Sequence, residues 1–116
     1  MFALAVIGAG GYVARKTWYP GKAFDAVSWR KIESMDAPTD REQMADRFVA
    51  RGLLFGKTKD DIVAMLGDPP ETGYFHDWDL VYWLGQERGF IGIDSEWLVV
   101  RFGQDGFVTE YHIVHD

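Results

Sequence analysis

Thr58–Pro69 reads TKDDIVAMLGDP, and the fold turns on taking that stretch as a capped helix. The Thr58 hydroxyl suits an N-cap, and Asp60 and Asp61 sit in the first turn, where the helix dipole favours negative charge. Ile62, Met65 and Leu66 fall at i, i+3 and i+4 and share one face. Gly67 supplies a stop, and Pro69-Pro70 cannot continue the helix. A single apolar stripe on so short a helix needs a surface to bury it, and the strand-like C-terminal half offers one.

A second helix precedes it. Thr39-Asp40-Arg41-Glu42 has the capping-box form, in which the Thr hydroxyl accepts from the N3 amide and Glu42 reaches back. Met44, Ala45, Phe48 and Val49 make its apolar stripe, and Gly52 ends the pattern. Between the helices, Gly56-Lys57-Thr58 has the ending of a phosphate-binding loop. The first glycine of such a loop would stand at position 51, which is Arg51, and no strand precedes it, so that reading fails.

Three strands follow: 77–84 (DWDLVYWL), 95–102 (SEWLVVRF) and 107–114 (FVTEYHIV), the last two joined at Gln104-Asp105-Gly106, a hairpin signal. The simplest topology pairs them antiparallel in sequence order. Leu98, Val100 and Phe102 alternate with Trp97, Val99 and Arg101, and the first set is assigned to the helix-covered face. Val108 is out of phase with Tyr111 and Ile113, which calls for a bulge near Thr109-Glu110. Neither strand face is cleanly polar, so one side is expected to be covered and the other sticky. The expected fold is α+β, with two helices packed on one face of an antiparallel sheet of three strands, or four. The intervening loop, 85–93, holds Gly85, Gly89 and Gly92 with apolar Phe90, Ile91 and Ile93. It either folds back into the core or forms an exposed contact tip.

A chain of 116 residues has room for one hydrophobic core. Its 18 Asp and Glu against 12 Lys and Arg, with no basic run longer than two residues, argue against a nucleic-acid partner. The absence of Cys excludes disulfides, thiolate nucleophiles and Cys-based zinc sites. Residues 1–14 (MFALAVIGAGGYVA) carry no charge, are too short to span a bilayer, and are read as a signal or membrane-anchor remnant. A dinucleotide fingerprint in their glycines fails at Val13, where Gly or Ala is needed. Residues 15–38 are read as a tether, with Phe24, Val27, Trp29 and Ile32 along the domain edge, and 39–116 as the binding domain.

Taken together, Gly56-Lys57-Thr58-Lys59-Asp60-Asp61-Ile62, Leu66-Gly67-Asp68-Pro69, the aromatic strand through Trp78 and Tyr82, Leu98–Phe102 and Gly106-Phe107-Val108 resemble the small outer-membrane-protein assembly lipoproteins of the SmpA/OmlA (BamE) type. The resemblance covers roughly residues 40–114. It implies the fold shared with β-lactamase inhibitor proteins and a protein partner in the bacterial envelope. It also implies a periplasmic or membrane-anchored location, membrane association through the N-terminus, and no catalytic residue, metal or cofactor. Those lipoproteins carry an acylated Cys, which this chain lacks.

Large aromatics beside an Arg make up the usual energetic centre of an interface, so Trp83, Arg88, Phe90 and Trp97 are the candidate protein-binding residues. The competing reading is a small metal-dependent or carboxylate-based hydrolase. His76, Asp77 and Asp79 cluster before the first strand and Asp94 and Glu96 before the second, and pairing of the strands could bring Asp79 near Asp94 or Glu96. Acids at strand ends are more ordinarily solvated caps. No His-x-x-x-His or nucleophile elbow accompanies them, so the chain is read as non-enzymatic.

Overall fold

The computed structural model describes residues 21–31, 38–89 and 93–116. Its elements run α1 (Ala26–Arg30), α2 (Asp40–Arg51), α3 (Lys59–Leu66), β1 (Leu80–Gln86), β2 (Ser95–Phe102) and β3 (Val108–His115). The strands form one antiparallel sheet in the order β1-β2-β3.

Both long helices start as their sequences dictate. At α2 the Thr39 hydroxyl accepts from Glu42 N at 3.0 Å, and Glu42 Oε1 accepts from Thr39 N at 2.8 Å. At α3 Thr58 and Asp61 make the same reciprocal pair, so Asp61 plays the part that Glu usually takes. Gly52 closes α2 in the left-handed conformation and Gly67 closes α3.

Three aromatic side chains then tie the helix C-termini down. The Trp29 indole N–H donates to Leu66 O at 3.0 Å, the Tyr82 hydroxyl to Gly67 O at 2.7 Å, and the Tyr111 hydroxyl to Phe48 O at 2.7 Å. Leu66 O and Gly67 O lie beyond the last intrahelical bond of α3 and need partners inside the core, whereas Phe48 O already accepts from Gly52 N and Leu53 N and takes the Tyr111 hydroxyl as a further donor. The rings of Trp29, Tyr82 and Tyr111 thus pack the core while their polar tips satisfy it.

The inner core is where α2 and α3 meet the sheet: Phe48 and Met44 of α2 and Ile62 and Leu66 of α3 cluster with Leu98 and Val100 of β2. Fully burying a side chain such as Ile62 stabilises by roughly 1.5–3 kcal/mol. Two positions on the expected stripes sit further out. Met65 is only half-buried, and Val49 is 43% exposed, because one step from Phe48 rotates it about 100° off the core-facing side.

The stretch expected to be a tether differs more. Its described part, residues 21–31, holds α1, and Trp29 is fully buried between Phe48 and Tyr82. Arg41 fixes it from above, with its guanidinium 4.7 Å from the Trp29 ring and its Nε donating to Trp29 O. The packed domain therefore begins ahead of residue 39. Ile32, Asp36-Ala37 and the apolar run 1–14 lie outside the described residues. Among the described residues no helix is long and apolar enough to cross a membrane.

β2 keeps its expected bounds, while β1 starts at Leu80 instead of Asp77. Asp77 and Trp78 belong to a turn in which Trp78 N donates to Phe75 O. Arg101 pairs with Glu110 and Phe102 with Val108, leaving Thr109 as the expected bulge. A second register shift lies between Trp83 and Gly85. It brings the end of β1 hard against the start of α2, where Thr39 Oγ1 also donates to Leu84 O at 2.6 Å.

Gly85 has φ +151, and a Cβ there would stand 2.6 Å from Thr39 Cγ2 and 2.9 Å from Glu42 Oε2. Gly85→Ala should therefore cost about 2 kcal/mol through overpacking. Gly73→Ala, where a Cβ would meet nothing within 4 Å, should be near neutral. Urea midpoints of the two variants check this, and equal midpoints would contradict the close approach.

Candidate functional site

Two clusters emerge from this framework, one on each side of the sheet. On the inner side, Arg88 reaches from the β1–β2 loop into a nest of carboxylates. Its Nη1 and Nη2 donate to Asp46 of α2 at 2.7 and 3.0 Å. Its Nε and Nη2 donate to Glu96 of β2 at 3.0 and 2.7 Å, and its backbone N–H adds a further bond to Glu96 at 2.9 Å. Glu42 Oε1 lies 3.9 Å from Nε. From β3, His115 stands 3.0 Å from Glu87 and 3.8 Å from Glu96. The sequence offers Arg88 as a candidate contact residue in a loop that either folds back or forms an exposed tip. The structure folds its side chain back, 31% exposed, as a clamp joining α2 to β2 through Asp46 and Glu96.

The electrostatics follow from the count of charges. Asp46 and Glu96 hold the Arg88 pKa well above its ordinary value by hydrogen bonding. Burial pushes the Glu96 carboxyl up, but the hydrogen bonds from the Arg88 side chain and backbone outweigh it and keep Glu96 below the usual range. Glu42 goes the other way. Burial raises it, Glu96 and Asp46 add to the rise, and the bond from Thr39 N only partly opposes them. Its Oε2 is buried and has no hydrogen-bond partner among the described residues.

On the outer side, register sets the arrangement. Trp83, Trp97 and Val114 align in one row across the three strands, and Val81, Val99 and His112 in the next. The strap from residue 71 to 79 crosses over this face before entering β1. Tyr74 and Phe75 pack on Trp97, with ring centroids 5.4 and 6.1 Å away, while Trp78 stacks on Arg101 at 3.8 Å and edges His112. Phe75 takes φ +56, a conformation uncommon for a bulky residue and held here by packing against Trp97.

The candidates thus separate. Trp97 is 9% exposed, with its indole N–H on Asp116 at 3.1 Å, and Trp83 beside it is half-buried. Phe90 lies outside the described residues. Tyr74, Trp78, His112 and Val114, which share this face with Trp83 and Trp97, were not singled out. The alternation in β3 contained the signal for the last two. The position of Tyr74 and Trp78 depends on where the strap crosses, which no local pattern encodes.

The carboxylates of the hydrolase reading are not brought together. Leu80 pairs with Val100 and Gln86 with Ser95, so Asp79 stands at one end of the β1–β2 ladder, with Glu96 about 17 Å and Asp94 about 24 Å away at the strand rise. Asp79 accepts from Phe102 N at 2.8 Å, and Glu96 serves Arg88. Among the described residues, no group of three or more His, Cys, Asp and Glu side chains is placed to hold a metal ion.

Comparisons with protein-family models, with curated proteins and with solved structures return no match. What the coordinates define is a class: an α+β domain whose sheet is covered by helices on one face and by an aromatic strap on the other.

Glu96 in the clamp and Glu42 beside it show opposite pH behaviour. A carboxyl whose folded pKa is depressed stabilises the fold above its unfolded pKa and loses that contribution as pH falls. Glu96→Gln should accordingly cost about 3 kcal/mol at pH 7.5, by leaving Arg88 underpaired, and progressively less as pH falls below the ordinary Glu range. A carboxyl whose folded pKa is raised loses stability as pH climbs through that value, so Glu42→Gln should gain stability at pH 7.5 and be neutral at pH 3.5. Urea titrations at the two pH values test both signs, and a loss for Glu42→Gln at pH 7.5 would contradict the assignment.

Proposed function

We propose that this chain is a non-catalytic protein-binding module of the bacterial cell envelope, contacting its partner through the outer face of the sheet. The observation that carries the reading is the cross-strand row Trp83–Trp97–Val114, with Tyr74 and Trp78 beside it. The three helices contribute their apolar faces to the inner core, which leaves the strap as the cover of the outer face. Tyr74 remains 53% exposed and Trp83 half-buried, so aromatic carbon stays open to solvent around an otherwise closed cluster. Such rims of Trp and Tyr around a packed centre are favourable contact sites, since large rigid rings bury area at low entropic cost.

The envelope location draws support from two sequence features, the uncharged run 1–14 and the resemblance to outer-membrane assembly lipoproteins. In that arrangement the N-terminus holds the chain at the membrane, and the outer face engages another envelope protein without a cofactor.

Site-specific photocrosslinking in cells that express the chain natively tests the reading. A crosslinking residue at Tyr74 should give a discrete heavier adduct that fractionates with the envelope. The same residue at Val27, which is 69% exposed on α1, should give none. Adducts of equal yield at both positions, or none at Tyr74, would remove the outer face as the contact surface.

A further inference from the structure

We propose that the segment docking on the outer face is basic and extended, an inference that rests on the outer face being the contact surface. The charge of this chain is unevenly placed. From residue 71 to the end there are nine Asp and Glu against Arg88 and Arg101, a balance of -7, which leaves +1 for residues 1–70 out of the total of -6. Both arginines of the C-terminal stretch are engaged. Arg88 points inward to Asp46 and Glu96. Arg101 lies under the Trp78 ring with Glu110 on its Nη1 at 2.9 Å.

The acids of the outer face are a different population from those of the inner clamp. Strand alternation puts Asp79, Glu110 and Asp116 on the same side as Trp83 and Trp97, and the strap adds Asp77, which lies 4.0 Å from Arg101 Nη2 with its side chain still 77% exposed. Glu110 is 42% exposed. The aromatic row is therefore bordered by carboxylates in contact with water. Lys and Arg are the side chains that suit both features at once. Their methylene stems cover aromatic surface while the charged head reaches a carboxylate. Arg101, stacked on Trp78 and paired with Glu110, already shows that arrangement within the chain. An extended segment with cations at alternate positions would present them all to one face, matching the period of the strands beneath.

The test uses the full chain and two probes, an acetylated and amidated (Lys-Val)4 peptide and its (Glu-Val)4 counterpart, followed by tryptophan fluorescence. The Lys peptide should bind about tenfold more tightly than the Glu peptide, with the difference shrinking at high salt. Asp77→Lys should weaken the Lys peptide about fivefold or more, while Asp60→Lys, an equal charge change on α3, should alter it less than about twofold. Equal binding of the two peptides, or equal effects of the two substitutions, would overturn the proposal. If a crosslinked partner is nonetheless found at Tyr74, the docking face survives and only its charge preference falls. If that adduct is missing as well, both readings fall together.

Discussion

β2 is buried on both sides, and the rest of the molecule is arranged around that constraint. Leu98, Val99 and Val100 are consecutive and each is fully buried. Consecutive strand residues point to opposite faces, so no single layer can dry all three. The helices cover Leu98 and Val100, and the strap with the neighbouring tryptophans covers Val99. The two covers are unequal in kind. The helix layer is fastened by the aromatic tips bonded to helix carbonyls and by the Arg88 clamp. The strap is hydrogen-bonded to β2 at its end, through Asp79, while residues 74–78 hold the sheet mainly through ring contacts, with a strained Phe75 at their centre.

Much of the inner layer was legible in the sequence because its determinants are local. Thr39 and Thr58 carry their capping partners three residues on, Gly52 and Gly67 stop the helices, and β2 alternates within eight residues. The Thr109 bulge was legible too, since the phase slip between Val108 and Tyr111 allows no straight strand to bury both. α1 was not. Five residues around one Trp give no periodicity, and Trp29 earns its burial from Leu66, 37 positions away.

The role of Arg88 escaped local reading for the same reason. Its partner Asp46 lies 42 positions back, and an Arg in a glycine-rich loop looks like a contact residue until α2 is placed beside it. The start of β1 was misplaced because Asp77-Trp78 alternates like a strand, whereas Trp78 is drawn into a turn by Phe75. Trp83 and Trp97 stand out in the sequence only as separate contact candidates; their cross-strand pairing follows from the register, and the strap that turns their face into a surface with a rim depends on a crossing that periodicity does not describe. The charges divide along the same line: inside, carboxylates are matched to Arg88, and outside they border exposed aromatic carbon.

Native-state amide hydrogen exchange on the full chain probes the unequal covers most directly. Amides of Leu98, Val99 and Val100 should exchange only through global unfolding, while those of residues 73–78 should open at distinctly lower free energy. A strap protected as strongly as β2 would mean that the outer face is a second closed core, and the account of it as a contact surface would be wrong.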